Sequence, residues 1–209
     1  MKKKYSKRFK KLLEISKEKK SLMIEDVISK VKKNCTTKFD ESIDVSFLLN
    51  LKQKKEKFNL RTIVNLPNGN GKKVKVAVLC EESKVSEAKE AGAELYDSEN
   101  LINDITSGKI KFDTLVATPV MMKKMSKLGK ILGPKGLMPN PKLGTVTNDI
   151  KSTVKALKSG QIEIKNDEDG NLGASIGKKS FADNKIKENF DSLLQAISKE
   201  KPNGIKGNF

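Results

Sequence analysis

The run Pro67-Asn68-Gly69-Asn70-Gly71 divides the chain into two kinds of pattern. Five consecutive turn-forming residues suit neither a helix nor a central strand, so the chain must reverse or change unit there. Before the run, Ile43, Val45, Phe47 and Leu49 alternate with Asp44, Ser46 and Leu48, the period of a half-buried strand, and residues 60–66 read as a second strand. Two helices precede them. Phe9, Leu12, Leu13 and Ser16 stand at helical spacing, and a second helix is expected from Ser21, with Ile24, Val27, Ile28 and Val31 on one stripe.

After the run, apolar strands alternate with helical stretches. Residues 74–80 and 112–118 read as buried strands. Residues 86–91 read as a helix ended by Gly92, Ser98 as the cap of a short helix reaching Gly108, and Pro119 as the start of a methionine-bearing helix to Lys127. Such alternation predicts a small parallel sheet covered by helices. Residues 128–147 are too rich in glycine and proline for a helix and are expected to form one long loop. A helix over 148–158, strands over 161–166 and 172–176 around an Asp-Glu-Asp-Gly turn, and a helix over 183–198 complete the pattern. The expected fold class is α/β (α+β) in two domains: residues 1–66 plus 160–209 form a split α+β domain, and residues 67–159 are inserted between its halves. Two chain crossings then act as a hinge. At 209 residues the chain is long enough to bury a core without disulfides or metal.

Charge narrows the function. Lys and Arg number 43 against 26 acids, a net charge of +17, which favours a polyanionic partner. Only Arg8 and Arg61 of the 43 are arginine. Bidentate reading of guanine is chiefly an arginine property, so phosphates held by point charges are expected rather than many decoded base edges. The basicity is patterned: residues 81–113 hold nine acids and four lysines, whereas 123–142 hold six lysines and no acid. Without histidine, and with Cys35 and Cys80 far apart, neither a zinc site nor a histidine triad is available, and no cofactor is expected. Two separated cysteines and no apolar signal segment fit a reducing cytoplasm, and no apolar run approaches a membrane span.

The segment from Gly129 to Thr147 places Lys130, Lys135 and Lys142 on a Pro/Gly frame suited to an anionic backbone. It lacks the spacing of a P-loop or a dinucleotide turn, which argues against the alternative of a nucleotide-binding enzyme using the inserted sheet. Peripheral membrane attachment through residues 1–20 would need larger apolar anchors than that stretch offers.

The sequence Gly-Lys-Ile-Leu-Gly-Pro-Lys-Gly-Leu-Met-Pro-Asn-Pro-Lys-Leu-Gly-Thr-Val-Thr over 129–147 resembles the signature of the bacterial large-subunit ribosomal protein one family, which builds the mobile side stalk of the ribosome. Thr37-Lys38-Phe39-Asp40-Glu41-Ser42, Leu66-Pro67-Asn68-Gly69-Asn70-Gly71-Lys72, Ala117-Thr118-Pro119 and Ile176-Gly177-Lys178-Lys179-Ser180-Phe181 resemble it in the same order. The resemblance implies a split RNA-binding domain with a Rossmann-like insertion, no catalysis, binding to a stalk junction of large-subunit rRNA, contact with deacylated tRNA leaving the exit site, and repression of the protein's own mRNA. It implies a ribosome-bound cytoplasmic protein, although an organellar member fits the same sequence; a monomer is expected off the ribosome. Carried over by position, the RNA surface falls on Lys38, Phe39, Ser42, Gly177, Lys178 and Ser180. Lysines and serines there suit phosphate or the 2′-hydroxyl, and Phe39 suits ribose or an exposed base, with a core role as its plain alternative. Gly177 has a plain alternative too, a strand-to-helix turn.

Two departures from the family set further expectations. Asn50-Leu51-Lys52-Gln53 and Arg61-Thr62 replace the usual turn and Arg-Gly pair, so the loop between the first two strands should differ in shape. The sequence also stops at Phe209, short of the family's last strand and Thr-Met-Gly loop, which predicts an unpaired sheet edge and weaker RNA binding.

Overall fold

A computed structural model describes residues 5–17, 22–48, 60–108, 110–167 and 170–200. The altered loop after Asn50, the tail beyond Glu200, the lysines before Tyr5 and the expected helix start at Ser21 lie outside these residues.

In chain order the elements are α1 (Lys7–Ser16), α2 (Ile24–Asn34), β1 (Ser42–Leu48), β2 (Arg61–Asn65), β3 (Val76–Leu79), α3 (Val85–Glu90), β4 (Leu95–Asp97), α4 (Glu99–Thr106), β5 (Thr114–Ala117), α5 (Pro119–Lys124), α6 (Gly129–Leu132), α7 (Ile150–Ser159), β6 (Gln161–Lys165), β7 (Asn171–Lys178) and α8 (Asp183–Lys199), with short 3-10 turns at Glu82–Lys84, Met125–Leu128 and Pro141–Leu143. The fold is mixed α/β, with antiparallel and parallel pairing.

Antiparallel pairs come from the two ends of the sequence. β1 pairs with β7 and β2 with β6, and a bridge between Asn166 and Leu172 links the two pairs. One face is apolar. Ile43, Val64, Ile164, Leu172 and Ile176 pack with Ile28 of α2 and with Ile186, Leu193 and Ile197 of α8 in a cluster whose buried members all precede 67 or follow 160. The α8 residues stand seven and four positions apart, two turns and one turn of helix, the stripe a helix needs to lie on a sheet. Lys32 of α2 bonds both Asp183 and the Phe181 carbonyl, tying the two helices together. By contrast α1 buries none of its residues; Ser6 caps it by accepting from the Phe9 amide at 3.2 Å.

The parallel sheet runs β4-β3-β5. All four residues of β3 are fully buried, as expected for a central parallel strand covered on both sides. Val76, Val78 and Cys80 face Ala88 of α3 and Ile150 and Val154 of α7, while Ala77 and Leu79 face Leu101 and Ile105 of α4, Met121 of α5 and Leu132 of α6. A parallel bridge from Ala117 to Val146 extends the sheet beyond β5.

Several elements differ from the sequence expectation. β4 has only three half-buried residues, too short for a periodic signal. The helix from Pro119 ends at Lys124 and tightens into a 3-10 turn, and the long loop expected over 128–147 contains α6 and a second 3-10 turn. Tertiary burial explains this: Leu128, Leu132 and Leu143 are buried, and their packing orders turns that local propensity leaves open. Ser98 occupies the cap position of α4 but makes no capping bond; its amide donates to Asp97 Oδ1 at 2.6 Å.

The two crossings between the outer and middle segments touch. Leu66 donates its amide to the Gly160 carbonyl at 3.2 Å, and a β-carbon on Gly160, whose φ is +116°, would fall 2.4 Å from Gly69 Cα. Asn189 of α8 is fully buried. It donates to the carbonyls of Gly69 and Ile176, each at 2.8 Å, and accepts from the Asn68 amide at 3.0 Å.

Candidate nucleic-acid interface

β1 begins where β7 ends, and antiparallel pairing therefore brings two distant segments side by side. Ser42 stands opposite Lys178 and Ile43 opposite Gly177; the register then shifts, so Asp44 faces Ser175 and Ile176 is the extra residue of a bulge. Beyond the pair, the Lys179 amide donates to the Glu41 carbonyl at 2.9 Å, holding the turn after β7 against the approach to β1. The six residues expected at the RNA surface thus fall on two adjoining stretches, 38–42 and 177–180.

Their side chains form two hydrogen-bonded couples. Lys178 Nζ donates to Ser42 Oγ at 2.8 Å. Ser180 donates twice to Asp40, from its hydroxyl to Oδ2 at 2.7 Å and from its amide to Oδ1 at 3.0 Å. Lys38 is exposed, and Phe39 is 69% exposed, which removes the core reading of that ring. Gly177 is buried within β7 rather than in a strand-to-helix turn; a β-carbon there would meet Phe181 Cδ2 at 3.1 Å. At Gly71, with φ at +72°, a β-carbon would stand 2.7 Å from Lys178 Cγ, so the lysine stem lies directly across the first crossing.

Behind this surface, Arg8 of α1 pairs with Glu41 Oε1 at 2.7 Å, and the guanidinium holds that carboxyl below its ordinary range. Burial pushes the Cys35 thiol up, with Glu41 adding to the effect. Arg8, Leu12, Val31, Cys35, Phe39 and Glu41 line an open groove of about 560 Å³ between α1, α2 and the start of β1.

The second basic set stands apart, on the segment packed around the parallel sheet. Lys130 lies on α6, Lys135 in the turn closed by Gly136 (φ +68°), and Lys142 in the 3-10 turn; all three are exposed. Their frame is hydrogen-bonded. Asn140 Oδ1 accepts from the Lys142 amide at 2.9 Å, Thr145 Oγ1 accepts from the Asn140 amide at 2.8 Å, and Leu143 is buried beneath.

Sequence reasoning missed Asp40, Gly71 and Asn189 as parts of this region. Asp40 has its partner 140 residues away, and nothing local announces the pair. Asn189 did carry a signal, a polar residue on an apolar helical stripe. Among the described residues, no group of His, Cys, Asp or Glu could hold a metal ion, and no helix is long and apolar enough to cross a membrane.

The fold and this surface define a lysine-rich α/β protein that offers hydrogen-bonding groups and cations at one end of an antiparallel strand pair. Comparison with known proteins gives the family. The family described as Ribosomal protein L1p/L10e matches residues 31–209. A large ribosomal subunit protein uL1 of Pelagibacter ubique is 59% identical over 198 residues, covering 95% of this chain and 86% of the relative. Proteins of the same name from Kosmotoga olearia and Fervidobacterium nodosum are 48% and 42% identical, covering 91% and 99% of this chain and 82% and 88% of theirs. The chain belongs to the ribosomal protein L1p/L10e family, whose members are structural, non-enzymatic ribosomal proteins that serve translation. The alternative of a nucleotide-binding enzyme falls with that assignment.

Proposed function

We propose that the chain binds the stalk junction of large-subunit ribosomal RNA through Lys38, Phe39, Ser42, Gly177, Lys178 and Ser180. The antiparallel pairing of Ser42 with Lys178 carries this reading, because it unites segments 136 residues apart into one surface of lysine, hydroxyl and exposed aromatic groups. In this reading, residues 1–66 plus 160–209 are a split RNA-binding α+β domain and residues 67–159 a Rossmann-like insertion. Lys130, Lys135 and Lys142 form a secondary basic loop on the insertion. The protein acts on the ribosome in the cytoplasm, contacts deacylated tRNA leaving the exit site, binds its own mRNA as a translational repressor, and is a monomer off the ribosome.

Salt titration of binding to a stalk-junction rRNA fragment tests it. If about five lysines meet phosphates, log affinity falls against log salt with a slope of roughly −3.5 to −4.5. Lys178→Ala should make that slope shallower by roughly one unit. A flat salt response, or an unchanged slope in the variant, overturns the assignment.

A further inference from the structure

The two serines of the surface have opposite hydrogen-bonding polarity. Ser42 Oγ accepts from Lys178 Nζ at 2.8 Å, so its own hydrogen is left to donate outward beside an ammonium. That end is built for phosphate oxygen. Ser180 is the reverse, since its hydrogen goes to Asp40 Oδ2 at 2.7 Å and only oxygen lone pairs remain to face a ligand. The other Asp40 oxygen accepts from the Ser180 amide, and this chelate keeps the carboxylate beside the hydroxyl. A phosphate over Ser180 would find no hydrogen to accept and would lie against the Asp40 carboxylate, a like charge.

We infer that Ser180 reads an RNA 2′-hydroxyl by accepting its hydrogen, and that Asp40 is the positioning residue that gives Ser180 this polarity. The inference rests on the RNA-binding reading above and adds which group is recognised. A base N–H could also donate to Ser180, but a ribose hydroxyl suits a chain with two arginines and little means of reading base edges. The consequence is discrimination of RNA from DNA at one nucleotide, independent of sequence.

The test uses the full chain and a stalk-junction rRNA fragment carrying single 2′-fluoro substitutions, which remove the donor. Wild-type protein should show one position where fluorination weakens binding by about tenfold, the scale of one hydrogen bond. Ser180→Ala should weaken binding to the all-ribose fragment by a similar factor and abolish the penalty at that position. Asp40→Asn, which keeps the shape but supplies only one accepting oxygen, should shrink the same penalty well below tenfold; a general loss of stability would lower affinity for every fragment equally. The inference fails if Ser180→Ala weakens ribose and fluoro fragments by the same factor, or if the sensitive group lies on a base. Persistence of the full penalty in Asp40→Asn overturns the role of Asp40. Failure of wild-type protein to bind any form of the fragment overturns the RNA-binding reading itself, together with what rests on it.

Discussion

Phe39 shows what a single side chain decides. A ring 69% exposed on a short turn leaves apolar area in water unless a ligand covers it. Phe39→Ala should therefore lower RNA affinity by roughly 1 to 3 kcal/mol, the range for a stacked base, and leave the melting temperature nearly unchanged. Parallel binding and melting measurements check both parts; a large drop in melting temperature with unaltered binding would return the ring to the core. Asp113 carries a different kind of expectation. Its hydrogen bond from Lys72, at 2.7 Å, and then one from the Lys75 amide hold its carboxyl below the ordinary value of 3.8. A depressed folded pKa gives stability that is present above 3.8 and is lost as pH falls through the folded value. The melting-temperature gap between wild type and Asp113→Asn should accordingly be widest near neutrality and close under acid. Phe39 and its neighbours were found through a motif resemblance, since no composition or period singles them out. Asp40 was beyond reach because its role exists only once residue 180 is beside it.

Helices and strands were readable wherever burial imposes a period. The alternation of Ile43, Val45 and Phe47 became β1, and the apolar run at Val76–Leu79 became the central parallel strand. Ends were read less well: strands expected over 74–80 and 112–118 contract to Val76–Leu79 and Thr114–Ala117, although the Cys80 amide still donates to the Asp97 carbonyl and the Thr118 amide to the Leu79 carbonyl just past those ends. α6 was unreadable for a related reason. Its four residues carry too little periodicity, and Leu132 is held by tertiary contacts. In α8 the polar interruption at Asn189 has a definite energetic meaning. Asn189→Leu would remove the partner of the buried Ile176 carbonyl and of the part-buried Gly69 carbonyl and Asn68 amide, so it should destabilise the fold by about 2 to 3 kcal/mol. Urea denaturation measures it; a cost below about 1 kcal/mol would mean that the crossing is not held by this side chain.

At the scale of the whole chain, the buried members of the antiparallel cluster come only from residues before 67 and after 160, and the entrance and exit of the middle segment meet at Gly69 and Gly160. A short Gly/Ser link from residue 66 to residue 160 therefore spans almost no distance. If the proposed division holds, that shortened protein keeps most of its affinity for the stalk RNA. A hundredfold loss, about 2.7 kcal/mol, would shift the main site to the basic loop bearing Lys130, Lys135 and Lys142.

The pairing of β1 with β7 also orders events in time. A chain synthesised from its N-terminus makes residues 38–42 long before residues 177–180 exist, and the strand that completes their surface arrives only after the whole parallel-sheet segment has been made. Closing the antiparallel pair across a stretch of that length carries a loop-closure cost, which is smaller in any state where Gly69 and Gly160 already lie together. A nascent chain halted before β7 thus carries Lys38, Phe39 and Ser42 without the residues that stand beside them in the folded protein, and the candidate site is complete only once β7 has been made.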